Sequence, residues 1–126
     1  MTIEEFLEWE DGQPLRHELI DGEIVAMTGA RPGHIRMVRR LARRLEDHLL
    51  GVACEAFMND LRVQVPRGDI YYPDIAIVCG DARPADDDAG IDEPTIIVEV
   101  LSPGTSERDL TLKRRDIFRS GALLLM

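Results

Sequence analysis

The spacing of hydrophobic residues changes several times along this chain, and each change marks an element. From Thr2 to Glu10 the apolar positions Ile3, Phe6 and Leu7 fall on one side of a short helix. Thr2-Ile3-Glu4-Glu5 has the form of a capping box, with a hydroxyl placed to accept from a free first-turn amide. Asp11-Gly12-Gln13-Pro14 ends that helix. Arg16 to Ile20 and Glu23 to Met27 are strand-like runs joined by Asp21-Gly22, a pair that favours the left-handed backbone of a type I′ hairpin turn. Thr28 to Gly33 reads as a loop. From His34 to Leu50 the spacing is helical: Ile35, Val38, Leu41, Ala42, Leu45 and Leu49 share one face, and Gly51 is placed as a C-terminal cap. Arg36, Arg39, Arg40, Arg43 and Arg44 share the opposite face, while His34 projects toward the apolar one.

The second half reads mainly as strands. Within Val52 to Val65, Leu61, Val63 and Val65 alternate with Arg62 and Gln64. Pro66 to Asp69 is a turn, Ile70 to Cys79 a strand, and Gly80 to Pro94 an acidic surface loop. Thr95 to Leu101 has the continuous apolar character of a central, doubly covered strand. Ser102-Pro103-Gly104 breaks it, and Ser106 with Asp109 can cap a last helix reaching about Ser120. With no repeat and no linker, the 126 residues read as one domain.

Two carboxylates interrupt this pattern. Asp74 follows Pro73 at the head of Ile75-Ala76-Ile77-Val78, and Glu99 lies inside the last strand run. An ionised carboxylate in such surroundings is costly unless it is paired, hydrogen-bonded or bound to a metal. Side chains alternate along strands, so Asp74 goes with Ala76 and Val78, and Glu99 with Ile97 and Leu101. If the two strands pair, both acids converge at one end of the sheet. Two carboxylates with room for water suit Mg²⁺ or Mn²⁺. Such an ion stabilises charge on a phosphodiester and acidifies the attacking water. Lys113, between Leu110 and Ile117 on the helical wheel, can reach that place or can pair with Asp109 on a solvated face. Glu18, between His17 and Leu19, reads by itself as part of a solvated strand face. His34 is open to three readings: ligand, phosphate contact, or ordinary surface or core histidine.

Charge sharpens the picture unevenly. The chain has a net charge of -9 and a pI of about 4.7, which argues against tight non-specific binding to nucleic acid by the molecule as a whole. Yet Arg31 to Arg44 contains Arg31, Arg36, Arg39, Arg40, Arg43 and Arg44 and no acid. Asp81 to Glu93 is the reverse, with Asp81, Asp86, Asp87, Asp88, Asp92 and Glu93 against Arg83. The arginine face becomes a DNA-facing surface if it flanks the site. No apolar run approaches the ~20 residues of a membrane span. The first residues lack the basic and apolar pattern of a secretion signal, so the cytoplasm is the expected location. Cys54 and Cys79 each sit in an apolar run and read as two buried free thiols.

The run His17-Glu18-Leu19-Ile20-Asp21-Gly22-Glu23-Ile24 resembles the opening of Uma-type domains, a family of restriction endonucleases in the PD-(D/E)XK superfamily. The resemblance continues with His34, with Pro73-Asp74 and with Glu99-Val100-Leu101-Ser102-Pro103, and closes with Thr105, Asp109 and Lys113. It implies an α/β, restriction-endonuclease-like fold with a mixed central sheet flanked by helices. It also implies a Mg²⁺- or Mn²⁺-dependent DNA endonuclease in which Asp74 and Glu99 hold the metal, and Lys113 and Glu18 complete the catalytic set. The superfamily motif carries its lysine two residues after the second acid. That position is Leu101 here, and the resemblance implies that Lys113 on the following helix stands in for it. His34, Arg36, Arg40 and Arg43 are the candidate nucleic-acid contacts, and paired cuts on two strands favour a homodimer.

The chain departs from the family in two places. Ile117 stands where relatives carry a tyrosine, and the chain stops at Gly121-Ala122-Leu123-Leu124-Leu125-Met126 where relatives continue into further strands. The expectation is a C-terminally truncated sheet with an open edge. An inactive nuclease-fold module that serves as an interaction domain is the alternative expectation.

Overall fold

A computed structural model of the chain describes residues 2–27, 30–58, 61–65, 68–101, 114–115 and 123–125, the last three as backbone only. Helix α1 (Ile3–Asp11) starts at the expected cap, where Thr2 Oγ1 accepts from the Glu5 amide at 3.1 Å. Strands β1 (His17–Ile20) and β2 (Glu23–Ala26) form an antiparallel hairpin. Its turn residues Asp21 (φ 51°) and Gly22 (φ 78°) are both left-handed, as a type I′ turn requires. Helix α2 (Pro32–His48) is followed by β3 (Cys54–Met58), β4 (Arg62–Gln64), β5 (Ile70–Tyr71), β6 (Ile75–Cys79), β7 (Gly90–Ile91), β8 (Ile96–Val98) and β9 (Leu123–Leu125).

These strands build two sheets, ordered β2-β1-β5-β4-β7 and β3-β6-β8-β9. The β4–β7 and β8–β9 pairs are parallel and the others antiparallel, so the architecture is the expected mixed α/β one. Strand alternation explains the layering. Ala76, Val78 and Ile97 of one sheet pack on Ile20, Val63, Val65 and Tyr71 of the other. Their neighbours Ile75 and Val98 point the opposite way, onto Val38 and Ala42 of α2. Leu19 and Ile70 point out of the first sheet onto Phe6 of α1.

Several expectations are corrected. Ile70 to Cys79 is not one strand: β5 and β6 belong to different sheets, and the chain crosses between them at Tyr72-Pro73-Asp74. Pro73 has no amide hydrogen to continue a ladder, so the break falls there. The acidic loop contains a 3₁₀ turn at Gly80–Ala82 and strand β7, whose buried Ile91 pairs with Val63. Ile35 stands at the margin of the apolar stripe and is 50% exposed. The C-terminal stretch left unassigned by pattern supplies β9, which runs parallel to β8.

Cys54 and Cys79 are also not free thiols. They form a disulfide, because the antiparallel β3–β6 register makes them direct cross-strand partners with Cα atoms 4.0 Å apart. A separation of 25 residues hides that neighbourhood in the linear sequence. Closing such a loop stabilises a fold by about 3 kcal/mol on chain-entropy grounds. Reduction is therefore expected to expose two titratable thiols and to lower the urea midpoint. Thiol labelling beside denaturant melts, with and without reductant, checks both, and an unchanged midpoint would count against the cross-link as a stabilising element.

Candidate active site

Three residue pairs align β6 with β8: Ile75 with Val98, Ala76 with Ile97, and Ile77 with Ile96. One further step along the same antiparallel register sets Asp74 opposite Glu99. The two segments stay close past the last ladder pair, where the Val100 amide donates to Asp74 Oδ2 at 2.8 Å. The other carboxylate oxygen, Asp74 Oδ1, lies 3.1 Å from His34 Nε2. Both of these side chains are 16% exposed. Glu99 Oε1 is a fully buried oxygen. Asp74 directly precedes β6 and Glu99 directly follows β8, so both acids stand at the sheet end, where the Asp74 side chain reaches His34 of α2.

Glu18 approaches from the other sheet. It is 6% exposed, and so does not lie on a solvated strand face. β1 runs between β2 and β5, and alternation puts Glu18 on the inter-sheet side with Ile20. Its Oε2 accepts from the Tyr72 amide at 2.9 Å, two residues before Asp74. The crossover Tyr72-Pro73-Asp74 thus holds one acid by its backbone and presents another by its side chain. Among the described residues no three His, Cys, Asp or Glu side chains are grouped so as to hold a metal ion. Lys113, Thr105 and Asp109 lie outside the described residues.

His34 belongs to the first turn of α2 and serves Asp74. Arg36, Arg40 and Arg43 are exposed on the far side of the same helix. Sequence reasoning missed a neighbouring group, Asp69 with Tyr71. Asp69 is 5% exposed; its carboxylate accepts from the Asp21 amide at 3.0 Å and from the Tyr71 hydroxyl at 2.9 Å. The phenol's pKa is pushed well above the usual tyrosine value, first by burial, then by the charge and hydrogen bond of Asp69 and the charge of Glu18, with Arg115 opposing. Tyr71 therefore stays a neutral donor. Arg115 Nη2 lies 3.7 Å from Asp21 Oδ1, beside the same hairpin tip. Locally, Gly68-Asp69 signals only a turn, and its partner amide is 48 residues away.

The paired strand ends, the helix on one face and the mixed sheets define a restriction-endonuclease-like domain. A crystal structure titled a "putative nuclease belonging to DUF820", from Anabaena variabilis, superposes with a TM-score of 0.74 at 21% identity, covering 95% of this chain and 67% of that one. The family model "Uma2: Putative restriction endonuclease" matches residues 3–123, and the chain belongs to that family. Two uncharacterized Synechocystis proteins are similar. The protein slr1290 is 38% identical over 110 residues and sll1609 is 29% identical over 115 residues. These matches cover 86% and 90% of this chain but only 57% and 65% of the two relatives. Among the described residues no helix is long and apolar enough to cross a membrane.

Proposed function

We propose that this domain is a Mg²⁺- or Mn²⁺-dependent DNA endonuclease whose metal is held by Asp74 and Glu99. The observation that supports this reading is the β6–β8 register: carried one step beyond its last pair, Ile75 with Val98, it leads to Asp74 and Glu99 at the same ladder end, where the Val100 amide bonds Asp74. The donor chemistry fits: both groups are hard oxygen donors, and Mg²⁺ takes one or two carboxylates while keeping several waters. When bound, such an ion supplies charge compensation to a phosphodiester and makes water more acidic.

The chain's own residues do the positioning. The Val100 amide and His34 fix the Asp74 carboxylate from two directions. Glu18, fixed by the Tyr72 amide, is a proton acceptor beside the crossover. Lys113 supplies positive charge to the phosphate in the transition state. Arg36, Arg40 and Arg43 meet DNA phosphates, and a homodimer acting in the cytoplasm provides one site per strand.

The test is incubation of supercoiled plasmid with purified protein in Mg²⁺, Mn²⁺ or EDTA. Nicked and linear products are expected with either metal and none with EDTA, and Asp74→Asn should be inactive while keeping the wild-type circular dichroism spectrum. Absence of both cleavage and calorimetric metal binding at every salt concentration would sink the reading.

A further inference from the structure

Arg36, Arg39, Arg40, Arg43 and Arg44 are all exposed on α2. Among the described residues, none of the five pairs with a carboxylate. Other arginines find such partners: Arg83 lies 3.9 Å from Glu55, and Arg115 3.7 Å from Asp21. The ridge is also costly to its own helix. Arg36 with Arg39 and Arg40, Arg43 with Arg39 and Arg40, and Arg40 with Arg44 stand three or four residues apart, where like charges repel. A face that merely needs solvation mixes signs. From Arg36 to Arg44 the ridge carries a single sign in a chain of net charge -9, and Glu46 and Asp47 bring acids to the exposed side only in the last turn of the helix.

The ridge has dimensions that suit a polyanion. From Arg36 to Arg44 it runs about 12 Å. Duplex DNA carries one phosphate charge per about 1.7 Å of axis with both strands counted, so a length matching the ridge holds roughly seven charges, of which the ridge meets those on one side. Its position relative to the site is fixed by one rigid element. His34, bonded to Asp74, lies about half a turn before Arg36, on the sheet side of the helix. Arg36 points away from the acids, so the ridge cannot touch the phosphate that they would engage.

We propose that this five-arginine ridge is a docking surface for the phosphate backbone of duplex DNA flanking the cleaved bond, supplying affinity and no part of the chemical step. The proposal rests on the nuclease reading of Asp74 and Glu99. Guanidinium groups on phosphates position a duplex without reading its sequence, so the contribution is the same for any DNA.

The experiment measures fluorescence anisotropy of a labelled 30-base-pair duplex over a range of salt, in EDTA, beside steady-state cleavage in Mg²⁺. The Arg36→Ala/Arg40→Ala/Arg43→Ala protein is expected to bind at least tenfold more weakly at low salt. Its plot of log affinity against log salt should be shallower by about 0.9 for each phosphate that is no longer neutralised. In cleavage, KM should rise while kcat holds. The matching triple lysine variant should retain the slope, which separates removal of charge from misfolding. Glu99→Gln should do the converse, abolishing cleavage while keeping affinity and slope. Wild-type affinity and slope in the alanine variant would overturn the ridge, whatever the cleavage result. Ridge-dependent binding without cleavage by any protein would sink the nuclease reading and leave the ridge standing. If the alanine variant instead dissociates a dimer in sedimentation velocity with unchanged DNA affinity, the ridge belongs to a second copy's acidic segment, and the proposal fails.

Discussion

Replacing Glu99 with alanine is expected to end the proposed Mg²⁺-dependent plasmid cleavage, with the rate falling by about 10²–10³-fold. The expectation follows from where the side chain stands. Glu99 directly follows β8 at the ladder end that Asp74 precedes, and one of its carboxylate oxygens, Oε1, is buried. A bound metal would supply several kcal/mol of charge stabilisation in the transition state, and losing one of its two protein carboxylates forfeits much of that. Glu99→Gln keeps the volume and removes the charge, so it should fail to a similar degree. Quantified nicking on agarose, with circular dichroism confirming that both variants fold, checks the result. Wild-type rates in both would remove Glu99 from the site and leave Asp74 without its partner.

The largest expected effect on stability comes from Phe6→Ala. Phe6 is wholly buried, and it fastens α1 to Leu19 of β1 and Ile70 of β5. Emptying a site of this size costs about 3–5 kcal/mol. That is a large part of the roughly 5–15 kcal/mol that holds a domain together. The polar link from α1 to β1 does not make up the difference. Glu10 bonds the His17 amide at 2.8 Å and His17 Nδ1 at 3.0 Å, but at a partly buried site worth far less. A urea melt should show the midpoint displaced to much lower denaturant, and a destabilisation under about 1 kcal/mol would mean that α1 is held by something other than this face.

How much of this was legible in the sequence depended on the range of each interaction. Asp21-Gly22 and Thr2 declared their turn and cap because the physics is contained in a few adjacent residues. The α2 stripe was readable for the same reason, apart from Ile35 at its margin. Asp74 and Glu99 stood out because charged residues beside apolar runs need an explanation. The failures were long-range. Cys54 and Cys79 are neighbours only through the β3–β6 register. Asp69 acquires its meaning from an amide in a different hairpin, and Glu18 is buried because its face of β1 meets the second sheet. The split between β5 and β6 was written in Pro73, but which sheet each half joins was not.

The β6–β8 ladder has two ends with different fates. Asp74 and Glu99 stand at one end, while the acidic connection from Gly80 to Pro94 leaves and rejoins at the other, where the Thr95 amide closes the ladder on the Ile77 carbonyl at 2.8 Å. Residues added or deleted at the exposed Ala85 to Asp88 segment would be absorbed by that connection without shifting the pairing by a single step. Length variation is therefore free there and forbidden on the opposite side, where one inserted residue in the crossover before Ile75 would alter the approach of Glu18 and Asp74 together. Foreign peptides, tags or whole domains are best spliced into the acidic connection.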